Sequence, residues 1–121
     1  MSDSPIRTRN QIRAEKAHGC ISQHTGQSNE KDYRQLARGF PALVHTCGLV
    51  QAVAFVQAKE GEAGKSYLKD LSFVMPLAPN SDPLPQQSRM ADVVEYQSLT
   101  RDAMVSAAWL KRYAEALLKE A

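Results

Sequence analysis

The apolar residues in the middle of the chain change direction at one glycine, and this change limits the folds that the chain can adopt. Before Gly48 they recur at the 3.6-residue spacing of a helix: Tyr33, Leu36, Ala37, Phe40, Leu43, Val44 and Cys47. After Gly48 they form a second arc in a new direction: Leu49, Val50, Val53 and Val56. The pattern predicts two helices that meet at Gly48, which ends the first helix as a left-handed cap.

The remaining segments also follow helical spacing, and none of them alternates apolar and polar residues as a half-buried strand does. Ser4 and Pro5 predict the start of the first helix, with Ser4 as its N-cap. The stretch PLAPNSDPLPQQ predicts a loop, because its prolines cannot continue a helix. Two further helices bury apolar faces on either side of this loop: Tyr67, Leu68, Leu71, Val74 and Met75 before it, and Leu99, Ala103, Leu110, Tyr113, Ala114 and Leu117 after it.

The chain has 121 residues, which is enough for one modest hydrophobic core. The sequence therefore predicts a single all-α domain over residues 1–121, a compact bundle of five to six helices with no sheet. We expect the helices at about residues 5–24, 31–47, 49–59, 62–75, 89–96 and 99–119.

The composition indicates where such a protein resides. No apolar run approaches the roughly 20 residues that a membrane span requires. The opening stretch MSDSPIRTRNQIRAEK lacks the apolar segment of a signal peptide. Two cysteines, Cys20 and Cys47, are too few for a disulfide framework. We expect a cytoplasmic protein that has no membrane partner.

The histidines and cysteines do not have the spacing of a catalytic or metal site. Cys20 and His24 share one face of a helix, but His45 and Cys47 point in different directions. Structural zinc needs four converging ligands, and a cysteine nucleophile needs an accessible thiolate, whereas Cys47 lies on the apolar arc. No carboxylate pair lies in an apolar context that would separate the pKa values of an acid and a base. We expect no enzyme activity, no cofactor, no metal and no small-molecule substrate.

Basic residues recur at helical spacing opposite the apolar faces. The aligned groups are Arg9 with Lys16, Arg34 with Arg38 and His45, Lys65 with Lys69, and Arg101 with Arg112 and Lys119, with Lys111 nearby. Charges opposite an apolar face are commonly just the solvated side of a helix. The alternative interpretation is a set of contacts with the phosphates of a nucleic acid.

Three aromatic residues lie off the apolar arcs of their helices. They are Phe55, Phe73 and Trp109. Such residues pack against a neighbouring helix in many small bundles, and they also serve as anchors in contacts between subunits.

Two blocks of the sequence together resemble one protein family. The first is RGFPALVHTCGLVQAVAFVQAK, residues 38–59, and the second is WLKRYAEAL, residues 109–117. In these blocks an Arg-x-x-Pro segment leads to Gly-Leu, an Ala-Phe pair and a lysine, and a Trp-Leu-Lys-Arg-aromatic-Ala motif follows near the carboxyl end. The chain resembles the small α-helical subunit of the Cmr complex, the type III-B CRISPR effector that targets RNA.

The resemblance implies a non-catalytic role in antiviral defence. Members of that family stack head to tail as an inner filament, which supports the guide RNA–target RNA duplex opposite the backbone subunits. The implied partners are the backbone subunit, the large subunit, copies of the same chain and the RNA duplex. Contacts through sugars and phosphates would suffice, because base pairing already reads the sequence.

The candidate RNA-binding residues come from the resemblance to the family and from the helical spacing of the basic residues. Lys59, Lys111 and Arg112 lie inside the matching blocks, and Arg38 lies both in a block and on a basic stripe. Spacing alone suggests Lys65, Lys69 and Arg101. The candidate subunit-interface residues are Trp109, Phe55 and Phe73.

A free-standing helical nucleic-acid-binding protein or a small dimeric regulator is the alternative. Such a protein would bind nucleic acid tightly by itself, whereas one copy of a filament subunit makes few phosphate contacts.

Overall fold

Six α-helices make up the regular structure of the described residues. The computed structural model describes residues 7–59, 61–75 and 83–119. The helices are α1 (Arg9–Ser22), α2 (Glu30–Cys47), α3 (Leu49–Lys59), α4 (Gly61–Val74), α5 (Leu84–Met90) and α6 (Val93–Leu117). Within those ranges there is no strand, so the fold is all-α as predicted. Among the described helices, none is both long and apolar enough to cross a bilayer.

The amino end of α1 differs from the prediction. The predicted cap, Ser4 and Pro5, lies outside the described residues, but Arg7 and Thr8 are not helical and the helix begins at Arg9. Thr8 is the N-cap, since its hydroxyl oxygen accepts a hydrogen bond from the Gln11 amide at 3.1 Å. The Gln11 side chain in turn accepts from the Thr8 amide at 2.8 Å. This capping box satisfies two donors that would otherwise have no partner, and it places the start of the helix at Arg9.

Gly48 ends α2, but its conformation is not the predicted left-handed cap. Its φ of 86° is positive as expected, whereas its ψ of 162° is extended. That region is open essentially only to glycine. The Gly48 amide donates to the Val44 carbonyl at 2.8 Å, and α3 begins at the next residue. The Tyr96 hydroxyl accepts a hydrogen bond from the Val50 amide at 3.1 Å, so α6 holds this corner in place.

The segment before α6 differs from the prediction in two further respects. A loop was expected through Gln87 and a short helix over 89–96, but α5 already begins at Leu84 and ends at Met90. Prolines are compatible with this start, because the first-turn amides of a helix need no internal partner. Residues 76–82 of the expected loop lie outside the described residues. The capping box of Asp92 and Glu95 then starts α6 at Val93, six residues earlier than the predicted Leu99.

The core lies where α2 packs against α3, α4 and α6, and α1 completes it on the side of α4 and α6. Tyr33, Phe40 and Tyr67 are its largest aromatic side chains, and all three are fully buried. Val50 and Leu117, predicted as core residues, are instead exposed. On α3, Ala52 is buried in the core where Val50 was expected. At the end of α6 the backbone becomes extended at Leu118, and the Leu118 side chain is buried in place of Leu117.

Candidate nucleic-acid interface

Arg38 and Lys111 both lie beside Glu115, at the seam between α2 and α6. The Arg38 Nε lies 2.9 Å from the Glu115 Oε2, and both side chains are partly exposed. Lys111 lies one helical turn before Glu115, so the two side chains are neighbours on the surface of α6. The structure therefore brings two of the predicted RNA-binding residues to one seam, and the ion pair neutralises part of the charge of Arg38. Sequence reasoning did not include Glu115, although its spacing from Lys111 is a visible signal.

Arg101 and Arg112 lie on one face of α6. They are eleven residues apart, which brings them back to nearly the same direction about 16 Å along the helix. Both are exposed, and neither forms an ion pair with any residue of the described ranges. Two unneutralised guanidinium groups at this separation provide two phosphate-binding points on one helix face.

A groove beside Arg112 separates α1 from the carboxyl-terminal half of α6. We call it the α1–α6 groove. Its volume is about 470 Å³, and its lining residues are Asn10, Met104, Val105, Ala108, Trp109 and Arg112. Trp109 and Arg112 were predicted as functional residues, and the other four lining residues were not. The groove exists only because α1 packs on α6, which brings Asn10 beside the lining residues of α6.

Lys65 and Lys69 lie at a different place, on the edge of a groove between α3, α4 and α5. The groove has a volume of about 480 Å³, and Leu68 and Leu84 contribute apolar parts of its lining. The Lys65 Nζ is 3.5 Å from the Glu62 Oε2 in a pair that is about 80% exposed on both sides. Lys59 is exposed at the last position of α3. The predicted RNA-binding residues thus belong to separate groups and not to one continuous basic stripe.

The three off-core aromatic residues differ in their surroundings. Trp109 is half-buried, and its ring stacks on Tyr113 at a centroid distance of 6.0 Å. Phe73 is 57% exposed, and the Lys16 ammonium lies over its ring, 5.1 Å from the centroid. Phe55 is 44% exposed. Of the three, only Trp109 lines a groove described above, and the role of each as a subunit contact stays a prediction.

His24 belongs to a hydrogen-bonded cluster centred on Asp70, and Cys20 lies near the same carboxylate. The Asp70 Oδ2 accepts from the Tyr33 hydroxyl at 2.6 Å and lies 2.9 Å from the His24 Nε2. Burial, reinforced by the nearby Asp70 carboxylate, raises the pKa of the Cys20 thiol to about 12. The same causes raise the pKa of Tyr33. These groups tie α1, α2 and α4 together, and a thiol with so high a pKa is a poor nucleophile.

The other cysteine differs from its prediction. Cys47 is half-buried and not fully buried, and its Sγ lies 3.2 Å from the Leu43 carbonyl oxygen as a hydrogen-bond donor. Within residues 7–59, 61–75 and 83–119, no three His, Cys, Asp or Glu side chains are grouped closely enough to hold a metal ion.

The model of the family described as CRISPR-associated protein (Cas_Cmr5) matches residues 9–117. The CRISPR system Cmr subunit Cmr5 of Thermus thermophilus is 36% identical over 115 residues, covering 95% of this chain and all of that protein. A crystal structure of a CRISPR-associated Cmr5 family protein from the same organism superposes with a TM-score of 0.84 at 34% identity. It covers 94% of this chain and all of that one.

Proposed function

Because this chain belongs to the CRISPR-associated Cmr5 family, we propose that it is a non-catalytic small subunit of a type III-B Cmr ribonucleoprotein. The observation that carries this proposal is the family match over residues 9–117. That span includes both sequence blocks and every candidate RNA-binding residue, among them Lys59, Lys111 and Arg112. A relative that aligns over its whole length supports the same role, since its name is that of a Cmr subunit.

The chain would hold the guide RNA–target RNA duplex by its sugar–phosphate backbone. Arg101 and Arg112 support this role, because both are exposed on one face of α6 and no described carboxylate neutralises them. Lys59, Lys65 and Lys69 would add contacts from α3 and α4, and Arg38 would have to leave Glu115 to do so. Such contacts carry affinity without sequence preference, which suits a complex whose guide already reads the target.

Copies of the chain would stack head to tail along the duplex, beside the backbone and large subunits. Each copy supplies only a few phosphate contacts, so the grip on RNA would come from several copies in register. Apolar side chains are exposed on more than one helix, among them Phe55 and Phe73, and they would form contacts between subunits. The role requires no cofactor, and we place it in the cytoplasm.

The test is to tag this chain in its native cell, purify it gently, and measure the mass of the native particle together with its bound RNA. We expect a large particle with several different subunits and short RNAs that share a constant repeat-derived 5′ end. A lone monomer or dimer without RNA would overturn the proposal, and a free-standing regulator would then account better for the chain.

A further inference from the structure

An exposed apolar corner lies where α5 ends and α6 begins. Met90, Val93 and Val94 are each exposed by 73–74%, more than any other large apolar side chain in the described ranges. We call these three residues the α5–α6 corner. Three such side chains within five residues concentrate exposed apolar surface where the two helices meet, and exposed apolar surface of this kind marks contacts with other molecules.

The corner carries negative charge. Asp92 and Glu95 are exposed, and each uses one carboxylate oxygen in the capping box of α6, which leaves the other oxygen available. Arg89, at the end of α5, is the one cation among residues 88–95, so the local charge is still negative. A partner for this corner therefore needs an apolar recess with cations at its edge.

The α1–α6 groove is a recess of this kind. Val105, Ala108 and Trp109 give it apolar walls, and Arg112 lies in its lining. Arg101 lies one turn before Val105 on the same face of α6. The groove therefore has cations around an apolar centre, and Trp109 and Arg112 are residue types that commonly dominate binding.

The positive charge of this groove is not cancelled by α6 itself. Beyond Glu95, the acidic residues of α6 are Asp102 and Glu115, and both are engaged elsewhere. Asp102 pairs with Arg13 at 3.3 Å, and Glu115 pairs with Arg38 at 2.9 Å. The charge of Arg112 is therefore available to a partner.

We propose that the α5–α6 corner of one copy docks into the α1–α6 groove of the next copy. This rests on the proposed function, because it assigns the surfaces through which copies of the chain stack. Pairing groove with groove would oppose arginines, and pairing corner with corner would oppose carboxylates, so neither surface suits its own copy. Only the unlike pair joins opposite charges around apolar side chains. Within a stack, Arg101 and Arg112 would face carboxylates of the next copy, so they would contact RNA only in the copy whose groove is free. Lys59, Lys65, Lys69 and Lys111 would supply the RNA contacts of the other copies. A contact between unlike surfaces leaves one groove and one corner free at the two ends, so it can continue from copy to copy.

The two surfaces are separate enough to be altered independently. Val94 and Ala108 are fourteen residues apart on α6, about 21 Å along its axis. Val94→Lys would place a cation opposite the groove arginines, and Val105→Asp would place a carboxylate opposite Asp92 and Glu95. Val50, a valine on α3 that is 37% exposed, supplies the controls Val50→Lys and Val50→Asp. The second is matched in exposure to Val105→Asp, since Val105 is exposed by 40%.

The experiment is sedimentation velocity on the full chain from about 10 µM to about 1 mM, because a contact between single copies is expected to be weak. We expect the wild type and both Val50 controls to associate as concentration rises. Val94→Lys and Val105→Asp should each weaken association by roughly tenfold or more. Val94 is so exposed that its replacement leaves the core unchanged, and thermal unfolding of each variant checks this directly.

Mixing the two variants is the decisive step. The Val105→Asp chain keeps an intact corner and the Val94→Lys chain keeps an intact groove, so an equimolar mixture should regain association that neither chain shows alone. A wild type that stays monomeric throughout, a variant that associates like the wild type, or a mixture that regains nothing would each overturn the proposal.

The association experiment and the native purification test different proposals, and their results can differ. If the tagged native chain purifies with an RNA-containing complex but these variants associate normally, the subunit role stands and the assigned surfaces are wrong. If the native chain carries no RNA and no other subunits while the variants behave as expected, the contact exists but the subunit role fails.

Discussion

Arg38 on α2 and Glu115 on α6 form an ion pair, with the Arg38 Nε 2.9 Å from the Glu115 Oε2. The two residues are 77 positions apart in the chain, so the pair exists only because α2 packs along α6. The pair neutralises part of the charge of Arg38, the arginine of the first sequence block. In the proposed role, an RNA phosphate would have to compete with this carboxylate for the guanidinium group.

Glu115→Gln is therefore expected to raise the affinity of the assembled complex for target RNA by about two- to threefold, because Arg38 becomes free to contact a phosphate. Thermal stability should change little, since a partly exposed ion pair contributes only about 0–1 kcal/mol. The measurement is a binding titration with reconstituted complex at fixed salt. Glu15→Gln on α1 is the control, because it removes the same charge from an exposed residue that has no described ion-pair partner. Equal gains in both variants would show a general charge effect and no role for Arg38.

Replacing Lys59 and Lys111 together by glutamine should weaken capture of target RNA while leaving the chain folded. Both residues lie in the family-like blocks, and neither lines the α1–α6 groove, so copy-to-copy contact is untouched. Loss of two phosphate contacts per copy should also make the slope of log affinity against log salt shallower, by up to about 2 for each copy on the duplex.

The matched control for this pair is Lys31→Gln with Arg7→Gln. It removes the same net charge from exposed residues of α2 and of the segment before α1 that are not candidates for RNA contact. If the control weakens RNA capture as much as the Lys59 and Lys111 pair does, the effect is one of overall charge and the two lysines are not specific contacts.

Gly48→Ala should destabilise the fold by about 1–3 kcal/mol, because alanine is strained at a φ of 86° and a ψ of 162°. Steric conflict is not the cause, since an added Cβ would lie 3.5 Å from the Tyr96 hydroxyl, an ordinary contact distance. Urea unfolding followed by circular dichroism provides the measurement.

Gly39→Ala is the informative counterpart, because Gly39 lies inside α2 with nothing within 4 Å of an added Cβ. That substitution should stabilise the protein by roughly 0.5–1 kcal/mol. A destabilised Gly39 variant or an unaffected Gly48 variant would contradict this account of the junction between α2 and α3.

Cys20 should resist thiol reagents in the folded protein. Its pKa is raised to about 12 by burial and by Asp70. At pH 8 its thiolate population is then about a thousandfold below that of an ordinary cysteine. Labelling with a chromogenic disulfide at pH 8 should modify at most one thiol per native chain, Cys47, and both thiols after denaturation. Rapid modification of Cys20 in the native state would show that the Asp70 cluster is open to solvent, and would revive Cys20 as a reactive group.

Local patterns in the sequence account for most of the helices, and for a physical reason. Apolar spacing identifies a buried face wherever a helix is amphipathic, and Gly48 marks a corner because few other residues adopt a positive φ. The largest errors in the helix bounds occur at the start of α1, at both ends of α5 and at the start of α6. Thr8 and Asp92 each begin a capping box that is legible in the sequence, but Ser4 with Pro5 and the prolines before α5 are competing signals of similar strength. Local chemistry alone does not rank such alternatives.

Only the tertiary structure decided which basic residues are paired with a carboxylate. Helical spacing places Arg38, Arg101 and Arg112 alike on polar faces, yet Arg38 is paired with Glu115 and the other two are free of any described carboxylate. The difference depends on which helices become neighbours, since charges interact at a few ångströms in space regardless of their distance along the chain. The α1–α6 groove arises in the same way, because Asn10 and Trp109 meet only through packing. The sequence by itself determined a bundle of helices with basic outer faces and a family membership, and the packing of those helices determined which charges and apolar surfaces remain available to a partner.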